Sequence, residues 1–96
     1  MKKLNEGSVK DTLRQRGSIY GDYKDGVNAR GVVIKALADH YVQVNGVPMS
    51  QDQLVWVSDL VMKLVRASSN PTHDDSLHDL QGYANLIEKM YQEMEQ

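Results

Sequence analysis

The chain has no cysteine. Disulfide scaffolds, thiolate zinc sites, iron–sulfur clusters and thiol nucleophiles are excluded together, and a reducing, cytoplasmic compartment is the simpler expectation. Nor does any apolar run approach the roughly 18 residues that cross a bilayer, so no membrane is expected. Met1-Lys2-Lys3-Leu4-Asn5-Glu6 has the basic start of a secretory signal, but no apolar stretch follows it. An excess of basic charge is missing too: 11 Lys and Arg face 13 Asp and Glu, and the isoelectric point is near 5.8. Nucleic-acid modules are usually strongly basic, so nucleic acid is not an expected partner. None of the serines sits in a Gly-x-Ser-x-Gly elbow, and no Gly-Lys-Ser/Thr closes a phosphate loop. Nucleophilic triads and Walker-type NTPases are set aside.

What is present is ordinary globular material, 96 residues with 41% hydrophobic and 25% charged content. The length allows one domain, residues 1–96, with residues 1–7 as a flexible lead-in. A compact chain of this mass exposes about 5,500 Å². Charge is unevenly spread: residues 1–35 carry a net +4 and residues 36–96 a net −6. The halves can attract each other within one fold or across an oligomer.

The apolar spacing predicts an all-α fold, a four-helix bundle-like domain with one short and three longer helices. The short one runs from Ser8 to Arg16 and is stopped by Gly17. The stretch from Gly17 to Gly26, rich in glycine and tyrosine, is expected to be an ordered loop. The second helix covers Val27 to Val44, with Val27, Ile34, Leu37, Ala38 and Tyr41 on one face, and Asn45-Gly46-Val47-Pro48 ends it. Ser50 and Gln53 form a capping box for the third. Leu54, Val57, Val61 and Leu64 repeat along that helix, with Trp56, Leu60 and Val65 widening the stripe, as in a central helix with more than one neighbour. It ends near Ser68.

The fourth helix starts between Thr72 and Asp75, where Thr72 with Asp75 approximates a second capping box. Leu77, Leu80, Ala84, Ile87, Tyr91 and Met94 then follow the 3-4 spacing of a heptad seam. The third and fourth helices should form an antiparallel C-terminal hairpin. The seam can pack inside the subunit or against a second copy, and a homo-oligomer is expected because so small a core usually needs supplementing.

Two polar concentrations could carry chemistry. Asp75 and Asp79 share a face of the last helix, with His73, Asp74 and His78 nearby, and Lys63 and Arg66 lie three apart on the preceding helix. They read either as a salt-bridge network that orients the hairpin or as a site holding a ligand or a divalent metal, for which so many carboxylates favour magnesium. In the second, Gly17 and Gly21 between Arg16 and Lys24 suit an anion nest, with Tyr20 and Tyr23 beside it. The alternative there is a structural turn whose tyrosines cover the end of the bundle.

Arg16-Gly17, Tyr20-Gly21-Asp22, Lys63-Leu64, Arg66, Asn70-Pro71, His73, Asp75, Asp79 and Gly82-Tyr83-Ala84 together resemble a family of small helical proteins encoded by tailed phages and prophages. The resemblance spans about residues 8–90. It implies a phage origin and a place in the host cytoplasm rather than a reaction. The chain is also distantly similar to the MazG-like all-α nucleoside-triphosphate pyrophosphohydrolases. That likeness implies an oligomer with carboxylates around magnesium, for which Asp75 and Asp79 are available; the Glu-x-x-Glu helix of those enzymes has no counterpart here.

Three functions are therefore expected. The first is a non-catalytic accessory protein binding a nucleotide or another phosphorylated small molecule through Arg16, Tyr20, Lys24, Lys63 and Arg66, with Asp75 and Asp79 in the same site, to sequester a host signal. The second is a module whose last-helix seam binds a host or phage protein. The third is a reduced magnesium-dependent pyrophosphohydrolase using Asp75 and Asp79 with Asp59 or His78.

Overall fold

The structure, a computed structural model, describes residues 23–72 and 75–95. These form three helices, α1 (Tyr23–Asn45), α2 (Gln51–Ser69) and α3 (Ser76–Glu95), with no strand, and 87% of the described residues are helical. The all-α expectation holds. The short helix expected from Ser8 to Arg16 lies outside the described residues, and so does most of the glycine–tyrosine loop.

Helix α1 begins at Tyr23, four residues before the expected Val27. Tyr23, Lys24, Asp25 and Gly26 are thus helical rather than loop. Asp25 suits the positive end of the helix dipole, and the Arg30 guanidinium lies 5.9 Å from the centre of the Tyr23 ring two turns on. A glycine inside a helix costs only about 1 kcal/mol relative to alanine, too little to stop a well-supported one. The inner stripe also differs from the expected face. Arg30, Val33, Ile34, Ala38 and Tyr41 are half-buried, while Val27 and Leu37 are exposed and no residue of α1 is fully buried.

The helix stops where the sequence says it should. Gly46 takes a left-handed backbone, with φ of 73°, and donates its N–H to the Val42 carbonyl at 2.8 Å. The Asn45 side-chain amide donates to the Tyr41 carbonyl at 3.0 Å. The first of these satisfies one of the last orphan carbonyls. Ser50 then opens α2 from an extended conformation, and its Oγ accepts the Gln53 N–H at 3.1 Å. At the far end the Asn70 N–H donates to the Arg66 carbonyl at 3.1 Å.

Helix α2 is the shared element. It packs against α1 on one side and α3 on the other, and α1 and α3 do not pack on each other. The described helices form an open layer of three, and the fourth, short helix of the expected bundle lies outside the described residues. Among the described residues Val57, Val61 and Ala67 are the buried apolar ones, while Leu54 and Leu64 of the expected face stay exposed. With one neighbour on each side, α2 cannot enclose the whole width of its stripe.

Helix α3 starts at Ser76, and the Asp75 carbonyl accepts the first helical bond from the Asp79 N–H at 2.7 Å. Thr72 lies in the preceding turn, four residues before the helix. The expected heptad seam is split. Leu80 and Ile87 face inward, but Ser76, Asp79 and Tyr83 complete the half-buried or buried stripe, whereas Leu77, Ala84 and Met94 are exposed. A straight helix drifts about 20° per heptad from a 3.5-residue repeat, which carries the ends of a seam off the contact. The hairpin is antiparallel as expected: Trp56, early in α2, bonds Tyr91, late in α3, while Lys63 further along bonds Asp79.

Candidate functional site

The polar cluster at the α2–α3 end is assembled by helix spacing. Lys63 and Asp79 meet with an Nζ–Oδ2 distance of 2.9 Å, the side chains being 15% and 41% exposed. The Lys63 side chain is thus mostly covered where it meets the first turn of α3. Arg66, half-buried one turn further along α2, is also partnered. Asp75 is exposed, and the bond it makes to Asp79 is through its backbone carbonyl.

Of the expected ligand-binding residues, then, Lys63 and Asp79 come together and neutralise each other. Lys24 is exposed in the first turn of α1, a helix that packs on α2 and makes no packing contact with α3. Arg16 and Tyr20 lie outside the described residues, as do His73 and Asp74. Among the described residues no three His, Asp or Glu side chains gather in a way that could hold a metal ion. Asp59, half-buried on α2, and His78, exposed on α3, do not join Asp79 in such a group.

A different concentration lies around Trp56. Its indole Nε1–H donates to the Tyr91 hydroxyl oxygen at 2.9 Å, and the rings meet edge to face with centroids 6.2 Å apart. On one side of Trp56, α2 and α3 form a groove of ≈ 320 Å³ walled by Val55, Tyr83, Leu86, Ile87 and Met90, with Asp52 and Asp59 also lining it. On the other side a groove of ≈ 360 Å³ lies between α1 and α2, where Leu37, His40, Tyr41 and Val44 meet Gln53 and Val57. Both are mainly apolar. Small-molecule sites run from about 300 to 1,000 Å³ and place several converging polar groups on a ligand; these grooves are at the small end and offer few.

Leu86, in the groove wall, is 66% exposed, and outside the grooves Met94 is 71% exposed and Leu64 and Leu77 are each about half exposed. Sequence periodicity places Trp56 in the apolar stripe of α2 and a seam along the last helix. It missed the groove because Val55 and Leu86 lie outside both apolar repeats, and only the hairpin register brings them opposite each other.

No helix among the described residues is long and apolar enough to cross a membrane. Comparison of the chain with protein-family models, with curated proteins and with solved structures gave no match.

Proposed function

We propose that this chain is a protein-interaction module, a phage-type accessory protein that acts by laying apolar helix faces against another polypeptide. One observation carries the reading: Trp56 stands between two apolar grooves, on a central helix whose neighbours leave large side chains such as Leu64 and Leu86 in water. Contiguous exposed apolar surface on a small protein marks an interaction site. A second copy, the homo-oligomer expected from the small core, is one polypeptide that would supply the cover; a host or phage protein is another. Capture of a phosphorylated ligand has less support, because Lys63 is already paired with Asp79. The magnesium-dependent reading is weakened by the same pair, which engages the carboxylate it would need.

A benzophenone photo-crosslinker in place of Leu86, in the full chain inside cells, tests the proposal. Polypeptide adducts of discrete mass are expected from position 86 and not from a control crosslinker in place of Lys35 on the polar side of α1. Irradiation that yields no polypeptide adduct from position 86 would overturn it.

A further inference from the structure

Resting on that reading, we infer that the groove between α2 and α3 receives an amphipathic helix with basic flanks, supplied by a partner protein. The floor is apolar and is built from both helices, with Val55 and Trp56 from α2 and Leu86 and Met90 from α3. Such a floor suits a helix presenting anchors at i, i+3, i+4 and i+7. The edge of the groove is acidic. Asp52 and Asp59 lie seven residues apart on α2, so they stand on one face two turns apart. Neither takes part in the Lys35–Asp39 or the Lys63–Asp79 ion pair.

On α3, Lys89 follows Leu86 by three residues, one cation against the two carboxylates that line the groove. Two such acidic faces would repel each other. That repulsion argues against a second copy docked face to face here, and like charges brought together across an interface suppress the wrong partner. A helix carrying Lys or Arg on both sides of an apolar stripe would bury its stripe against the floor and meet Asp52 and Asp59 with its flanks.

Trp56 is the only tryptophan in the chain and forms part of the groove wall, so its fluorescence reports occupancy without a label. The full chain is titrated with a synthetic Leu–Lys amphipathic peptide of about four turns and with its Leu–Glu counterpart. The Leu–Lys peptide is expected to shift Trp56 emission saturably, at least tenfold more tightly than the Leu–Glu peptide, and to weaken as salt is raised. The Asp52→Lys/Asp59→Lys variant is expected to invert that preference. Should this variant fail to fold by circular dichroism, Asp52→Lys alone, at an exposed position, is expected to narrow it. Equal affinity for the two peptides, or a preference that survives charge reversal, would overturn the inference.

Sedimentation of the chain without peptide separates the remaining occupant. A dimer that dissociates on Leu86→Gln would assign the groove to a second copy and overturn the inference. If neither peptide binds while the crosslinker at position 86 still captures a polypeptide, the basic helix is wrong and the interaction module stands. Loss of both signals ends both.

Discussion

Trp56 and Tyr91 are held by two contacts at once, a 2.9 Å hydrogen bond from the indole N–H to the phenol oxygen and an edge-to-face ring contact at 6.2 Å. The pair fixes the open end of the α2–α3 hairpin, 35 residues apart in sequence. Because Tyr91 is exposed, water can replace its hydroxyl. Tyr91→Phe is therefore expected to cost at most about 1 kcal/mol, whereas Trp56→Ala, which also removes the ring contact and part of both groove walls, should cost about 3 kcal/mol. Urea unfolding followed by circular dichroism measures both.

The other cross-hairpin bond is asymmetric. Lys63 is far less exposed than Asp79, at 15% against 41%. Removing the carboxylate strands an ammonium in poorly hydrated surroundings, while removing the ammonium leaves a carboxylate that water still reaches. Asp79→Ala is expected to destabilise by about 1–2 kcal/mol, and Lys63→Met, which keeps the apolar stem, by less than about 1 kcal/mol. Equal losses in denaturant melts would show that the pair behaves as an ordinary surface bridge.

These two pairs mark the boundary of what the sequence makes legible. Ser50 with Gln53, and Gly46 after Asn45, act within a few residues, so their caps can be read from the residues alone. Lys63 opposite Asp79 followed from a short connection and the rise of two helices. The start of α1 was hidden, because Asp25 and Gly26 look like turn residues unless the support from Arg30 and Tyr23 is known. Least legible were burial and the grooves. Leu64 and Val61 are both in the apolar stripe of α2, and only the direction from which α1 and α3 approach decides which is covered.

The glycines separate local from tertiary causes. At Gly26 and Gly82, both inside helices, an added methyl group would meet nothing within 4 Å. Gly26→Ala and Gly82→Ala are each expected to stabilise by about 0.5–1 kcal/mol. Gly46 has equal space around it but a left-handed φ of 73°, so Gly46→Ala should destabilise by about 1–2 kcal/mol. Thermal melts of the three variants give the signs directly. A destabilising Gly82→Ala would point to contact with a partner at that turn of α3.

Lys35 and Asp39 form a 2.7 Å bridge on α1 with both side chains in water. The hydrogen bond to Asp39, and then its charge, raise the Lys35 pKa above the ordinary 10.5. A raised folded-state value means that any stability from this pair is present below 10.5 and lost as the pH climbs through the folded value. Solvent screening leaves little to lose. Lys35→Ala is expected to melt with the parent chain between about pH 6 and 9, as exposed pairs do, and a separation across that range in a pH series of melts would contradict the exposure of the pair.

Size and burial give opposite orders for the core of α2. Leucine is the larger residue, yet Leu64 is 52% exposed and Val61 only 3%. Deleting buried methyl groups loses their transfer energy and leaves a cavity, whereas truncating a side chain already in water loses only part of the transfer term. Val61→Ala should therefore cost about 1–2 kcal/mol and Leu64→Ala less than about 1 kcal/mol in the free chain. The order is expected to reverse only if a bound polypeptide covers Leu64. Repeating the denaturant melts with and without a saturating partner separates a residue that holds the subunit together from one that waits for its complement.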